Sequence, residues 1–210
     1  MRRYRNTLTA LLAAVVFAPG ASVLSAQGMP LMAEHAEIGT LERVTKTGFD
    51  LEVTIELPKD AWGEEFVHRT YETGVSTQVE GLGSIMDVED IPPAATGSIV
   101  VVTFVRDGSD LVAKSIRFTG DREILVTQGT IERVDHEDRM LVLRDLEGQR
   151  ERFNLDFGYG AAIDSDRGLI SSSQLDAGHE YTVYYAEPPV LETSNRDADV
   201  RIARVLTETN

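Results

Sequence analysis

Cysteine is absent from this chain of 210 residues. Its absence excludes disulfide bonds, thiolate metal sites and cysteine nucleophiles. It also excludes a lipid-anchored lipoprotein, because acylation of such proteins requires a cysteine. The fold must therefore be stabilised by its hydrophobic core.

Long apolar runs are also scarce. The longest, residues 8–17, has ten residues and is broken only by Thr9, whereas a membrane-spanning helix needs about twenty residues. Three arginines precede this run, and small residues follow it up to Ala26. This is the layout of a secretory signal peptide at residues 1–26. We expect export to the periplasm or the extracellular space, and no membrane insertion after cleavage. The alternative interpretation of this segment is an uncleaved membrane anchor.

Basic residues are few. The chain has 20 Lys and Arg against 35 Asp and Glu, which gives a net charge of −15. Cleavage after Ala26 would remove three arginines and no acid, and so give −18. Such a surface repels phosphate backbones and anionic lipids, so we expect no nucleic-acid partner. Solubility is the simplest role for this charge.

What the sequence does contain is an internal duplication. The hexapeptide Gly-Thr-Leu-Glu-Arg-Val at residues 39–44 recurs as Gly-Thr-Ile-Glu-Arg-Val at residues 129–134. Each copy is followed by a turn and an alternating strand, and Gly97 and Gly178 open corresponding later strands. Several matches in the same order indicate two tandem copies of one unit.

Each unit shows five short strands and few helical periods, with a short helical turn between the third and fourth strands. This is the layout of an OB-like barrel. We therefore predict an all-β protein of two tandem five-stranded OB-like barrels, at 36–120 and 122–208, each with one short helical turn before strand 4. Gly39 and Gly129 would let the first strand of each barrel bend. The predicted strands are 36–44, 50–57, 77–82, 98–106 and 111–119, then 124–135, 139–145, 150–156, 180–186 and 199–208.

Two motifs of the second unit carry a family resemblance. They are the opening strand Gly129-Thr130-Ile131 and the turn from Leu175 to Gly178. The unit resembles a family of small exported bacterial β-barrel domains of unknown function, often found in tandem. The resemblance implies a fold and no activity. The first unit departs from the pattern at Ile91-Pro92-Pro93.

The two units differ on one strand. In register, Ile99 and Val101 of the first unit correspond to Glu180 and Thr182 of the second, which should face solvent. An exposed apolar strip tends to be covered. We predict that the two barrels pack together through Ile99 and Val101.

The first unit carries an insertion at residues 58–75, between its second and third strands. It contains Trp62, Phe66, His68 and Tyr71. Aromatic side chains offer large contact areas at low entropic cost, so this loop is a candidate contact surface for a protein or small molecule. In the alternative interpretation, Trp62 and Phe66 fold back and cap the barrel.

Metal binding is the rival hypothesis. The segment around Met86 looks like the periplasmic copper-chaperone barrels, which hold Cu(I) with thioether and imidazole ligands. Met86 and His68 would be the ligands, although Ser84 stands at that family's second methionine position. The stretch from Asp164 to Gly168 begins like a calcium loop but lacks the closing glutamate, so a solvated turn is favoured.

No catalytic motif is present, and the four histidines lie in separate segments. Residues 132–152 contain five arginines among seven acids, which predicts cross-strand ion pairs rather than a basic groove. We expect a non-catalytic binding or structural module of the cell envelope, without a cofactor. The alternative is a periplasmic copper-type metal-binding protein.

Overall fold

A computed structural model describes residues 32–47, 50–59, 67–81, 87–156, 158, 160–188 and 200–209. The predicted signal peptide at 1–26 lies outside this part of the chain. Within the described residues, no helix is long and apolar enough to cross a bilayer. The strands of the first barrel are β1 (Glu34–Thr47), β2 (Asp50–Glu56), β3 (His68–Glu80), β4 (Ile99–Asp107) and β5 (Asp110–Phe118). Those of the second unit are β6 (Leu125–Asp135), β7 (Met140–Asp145), β8 (Arg150–Asn154), β9 (Ala162–Ser165), β10 (Gly168–Ile170), β11 (Glu180–Ala186) and β12 (Val200–Glu208).

The first five strands form a closed barrel in the order β1-β2-β3-β5-β4. Closure depends on β1, whose first half pairs with β4 and whose second half pairs with β2. The strand changes partner at Thr40, directly after Gly39. A Cβ on Gly39 would lie 2.5 Å from the carbonyl oxygen of Glu56, so only glycine fits where the strands approach.

The second barrel closes in the same way. Strands β6, β7, β8, β12 and β11 form the ring, with β8 and β12 paired in parallel. The predicted architecture of two five-stranded barrels is confirmed. The duplication extends to the cores, since Tyr71 packs on Phe104 and Phe153 packs on Tyr185, each with ring centroids 5.3 Å apart.

Short 3-10 turns precede the fourth strand of each barrel, as predicted. In the second barrel the turn is Ser172–Gln174, capped by the Ser171 side chain. The first barrel has two such turns, Val88–Asp90 and Pro93–Ala95.

One predicted boundary is wrong. Strand β3 begins at His68, not near residue 77, so much of the expected loop at 58–75 is strand. The sequence obscured this because the exposed residues Gly74, Val75 and Ser76 interrupt the alternation. The register of β3 against β5 shifts between Thr73 and Gln78, which accommodates them.

The sequence pattern does not predict the β9–β10 hairpin. It extends the sheet from β12 and lies against β1 of the first barrel. A Cβ on Gly168 would lie 2.6 Å from the Glu34 carbonyl oxygen, which shows how closely the hairpin approaches β1. The stretch from Asp164 to Gly168, which resembles the start of a calcium loop, includes the turn of this hairpin.

The two barrels meet at an apolar seam. Ile99 and Val101 are buried there against Val205 of β12, as predicted. Hydrogen bonds also connect the second barrel to the first barrel and to the linker. The Arg117 guanidinium donates to the carbonyl of Gly160, and Arg204 binds Asp121 of the linker through two hydrogen bonds of 2.7 and 2.8 Å.

Candidate functional site

A cleft of about 470 Å³ opens along this seam. Its volume lies within the usual range for small-molecule sites. Strands β1, β3 and β4 of the first barrel form one side, and β9, β11 and β12 of the second barrel form the other. Its apolar wall consists of Ile38, Leu57, Pro58, Val67, Phe104 and Tyr184.

Arg69 and Glu37 form the polar end of the cleft, and the buried side chain of Tyr71 contacts Glu37 from the barrel core. The Tyr71 hydroxyl donates a hydrogen bond to Glu37 Oε2, and Arg69 Nε lies 3.8 Å from the same oxygen. Burial, and then the Glu37 charge, hold the pKa of Tyr71 well above its ordinary value, so its hydroxyl stays a donor. Arg69 Nε is buried and makes no hydrogen bond within the described part of the chain.

Arg106 supplies a second cation at the end of β4. Its guanidinium carbon lies 5.8 Å from the centroid of the Phe104 ring, within range of a cation–π contact. Arg106 makes no ion pair within the described ranges, whereas Arg69 faces Glu37. Arg106 is therefore available to an incoming anion.

The other carboxylate of the cleft is already engaged. Asp164 Oδ1 lies 2.9 Å from Nδ1 of His35, and its Oδ2 accepts a hydrogen bond of 3.1 Å from the Ala36 amide. Each carboxylate thus has its own donors. The Arg106 guanidinium, which has no ion-pair partner among the described residues, lies beside an apolar wall. This arrangement suits an organic anion with an apolar body.

The predicted contact residues have different positions. Trp62 and Phe66 lie outside the described residues. His68 is exposed at the start of β3 and its Nδ1 lies 2.9 Å from Glu42 Oε2. Tyr71 is not on a surface loop but inside the first barrel, because it points inward from β3.

The segment 58–75 nevertheless contributes to the cleft through Pro58, Val67 and Arg69. Sequence reasoning missed Glu37 and Arg106, which other strands supply. The only signal for Arg106 was a basic residue that directly follows the apolar run of β4.

The metal hypothesis gains no support from the arrangement of ligands. Met86 lies outside the described residues, and His68 has Glu42 as its neighbour. Among the residues that the structure describes, no three His, Cys, Asp or Glu side chains are grouped to hold a metal ion. Copper binding stays an untested prediction.

The charged side chains of residues 132–152 are not evenly distributed between the two faces of the sheet. Arg133, Arg144, Arg150 and Arg152 are all exposed on the outer face of β6–β7–β8. Glu151 alternates with Arg150 and Arg152 along β8, so its side chain lies on the other face, where it forms an ion pair with Arg201. Several of the other acids lie in turns. A locally basic face therefore exists, contrary to the expectation from the summed charge.

Comparisons with known proteins give one structural match of interest. No protein-family model and no curated protein matches the chain. A deletion mutant of the single-stranded DNA-binding protein from Thermus aquaticus matches 85% of this chain and 92% of its own, at 12% identity and a TM-score of 0.26. A similarity with so low a TM-score does not indicate what this chain binds.

The matched protein is nevertheless named for binding single-stranded DNA, against the prediction that nucleic acid is excluded as a partner. The prediction of no nucleic-acid partner is therefore withdrawn. It rested on the net charge of the whole chain and did not consider the face on which each charged side chain lies.

Proposed function

We propose that this protein is a non-catalytic binding module that takes an amphipathic organic anion into the cleft between its barrels. The observation that carries the proposal is the Arg106 guanidinium, which has no carboxylate partner among the described residues and lies beside an apolar wall. A charge-assisted hydrogen bond at Arg106 would orient the head of the ligand. Its apolar body would lie against Ile38, Leu57 and Phe104.

The polar groups of the cleft favour binding over catalysis. Glu37 is hydrogen-bonded to Tyr71, and Asp164 to His35 and Ala36, so both carboxylates already have partners within the protein. A general acid or base instead needs a proton that it can exchange with substrate. We propose a carrier or sensing role in the cell envelope.

Export belongs to the same proposal. The arginine-rich start, short apolar run and small residues of positions 1–26 support secretion to the periplasm or the extracellular space. The resemblance to exported tandem β-barrel domains supports the same location.

Calorimetric titration with decanoate tests the binding proposal. Decanoate joins a carboxylate to a ten-carbon chain, and 1-decanol serves as its uncharged analogue. We expect saturable binding of decanoate, weaker binding of decanol, and at least about tenfold weaker decanoate binding by Arg106→Gln. Loss of one charged hydrogen bond typically costs about 1.5–3 kcal/mol.

Arg167→Gln is the matched control. Arg167 is an exposed arginine at the turn of the β9–β10 hairpin, outside the cleft lining. Its substitution should leave decanoate binding unchanged. Equal affinity of wild type and Arg106→Gln for decanoate, or equal affinity of wild type for decanol and decanoate, would contradict the proposal.

A further inference from the structure

The outer faces of the two barrels can be compared position by position. In each barrel the pairing of the first and second strands shifts at the same place, between Leu41 and Arg43 and between Ile131 and Arg133. Strands β1–β2–β3 therefore align with β6–β7–β8 without a gap. The two outer faces share the same strand pairing where they align, so their side chains can be compared directly.

The β1–β2–β3 face is acidic. Its outward positions include four glutamates and one arginine, namely Glu42, Glu52, Glu56, Glu72 and Arg43. Glu52 and Glu72 lie directly opposite each other across β2 and β3. Neither forms an ion pair with any described residue, and opposed like charges destabilise a sheet. Within the described ranges, no cation offsets this pair of charges.

The β6–β7–β8 face carries more arginines than acids. Arg144 and Arg150 stand where the first barrel has Glu56 and His68, and Arg152 stands where it has Thr70. Glu132 bridges Arg144 and Arg150 at 2.5 and 2.6 Å. One carboxylate for two guanidiniums leaves a positive excess.

Arg133 and Arg152 add to this excess. They flank Val142 in a single cross-strand row. Arg152 has no partner within the described residues, and Arg133 reaches Asp135 only at 3.7 Å. The face thus combines exposed guanidiniums with a small apolar centre.

We propose that the basic β6–β7–β8 face docks on the acidic β1–β2–β3 face of a second copy of this chain. The two faces share one strand geometry and carry opposite charges, so guanidiniums of one copy can approach Glu52 and Glu72 of the next. The seam within one copy uses the first half of β1, at Ala36 and Ile38, together with β4 and strands β9 to β12. It includes none of the charged residues named for either face.

The geometry makes the contact heterologous. A different surface is used on each side, so every docked copy leaves one acidic and one basic face open. Such contacts generate chains, or rings where the rotation closes. A concentration-dependent series of oligomers is expected rather than a dimer end point.

The overall charge of −15 opposes this contact at long range. Charges farther apart than the Debye length, about 8 Å at 0.15 M salt and about 3 Å at 1 M, are largely screened. Docked side chains lie within a few ångströms of each other and are screened less. Association should therefore be strongest at moderate salt and weaker at both extremes.

Sedimentation velocity of the purified protein up to about 1 mM tests this. Two charge-reversed variants sharpen the experiment. One carries Arg144→Glu, Arg150→Glu and Arg152→Glu, and the other carries Glu52→Arg, Glu56→Arg and Glu72→Arg. Each variant alone presents two faces of one sign and should be monomeric, whereas an equimolar mixture should regain association.

Regained association in the mixture also shows that both variants are folded. Arg167→Glu, which reverses one charge away from both faces, should sediment as the wild type does. A wild type that stays monomeric at every salt concentration overturns the proposal, as does a mixture of variants that does not associate. A monomer that binds heparin through its arginine face would assign that face to a polyanion instead.

Discussion

Gly39 and Gly129 occupy equivalent places in the two barrels, where the first strand passes from one partner to another. Their recurrence in register predicted a bend, and the structure adds a steric reason. A Cβ on Gly129 would lie 2.2 Å from the carbonyl oxygen of Arg144. That carbonyl belongs to strand β7, which cannot move without disturbing its pairing.

Gly129→Ala should lower the free energy of unfolding by about 1–3 kcal/mol, the usual cost of an overpacked site. Gly74→Ala is its control, because a Cβ on Gly74 meets no atom within 4 Å. The control should change stability by less than about 1 kcal/mol. Urea denaturation measures both, and equal midpoints for the two variants would refute the steric account.

Buried tyrosines make the free energy of unfolding depend on pH in the alkaline range. Burial, with the Glu208 charge adding to it, raises the pKa of Tyr181 to about 12. Between about pH 10 and pH 12 the unfolded chain loses a proton that the folded chain keeps. The folded state then binds more protons, so its stability falls as pH rises through this window.

Tyr181→Phe should therefore show a shallower loss of stability between pH 10 and pH 12 than the wild type. Below about pH 9 the two proteins should have parallel pH profiles. Urea midpoints measured from pH 8 to pH 12 provide the comparison. Identical slopes above pH 10 would show that Tyr181 ionises as easily in the folded chain as in the unfolded chain.

At the scale of elements, the β9–β10 hairpin connects the two barrels. Asp164 at its first strand binds both His35 and the Ala36 amide of β1. The sequence did not reveal it because its strands have only four and three residues. Segments so short carry little periodicity, and their structure is decided by pairing with β12 and contact with β1.

Asp164→Ala should leave the buried Ala36 amide without an acceptor, at a cost of about 1–3 kcal/mol. Hydrogen exchange at Ala36 should accelerate, while exchange in β7 should not change. Asp166→Ala removes an exposed carboxylate from the turn of the same hairpin and should leave Ala36 protected. An unchanged exchange rate at Ala36 in Asp164→Ala would show that the hydrogen bond from the hairpin does not protect this amide.

The regular strands were predictable to within a few residues where apolar and polar side chains alternate. Glu180–Ala186 was placed without error, and β7 and β12 were placed to within one residue at their starts. Strand β3 was not, because an exposed stretch around Val75 breaks its pattern. Alternation reports burial on one face, and it fails where a strand bulges away from the core.

At the scale of the whole molecule, the seam was predicted and the cleft was not. Ile99 and Val101 stood out because they replace polar residues of the sister barrel, so comparing the two copies was sufficient. The cleft needs Arg69 from β3, Arg106 from β4 and Asp164 from β9 at once. No local pattern encodes which strands of two barrels will meet.

Side-chain NMR of arginine Nε–H groups during a decanoate titration tests the central claim most directly, because it reports which guanidiniums meet the anion. The account predicts saturable shifts of the Arg106 and Arg69 signals, with Arg133, Arg144 and Arg152 unaffected. Shifts confined to those three arginines, or none that saturate, would contradict a binding site between the barrels.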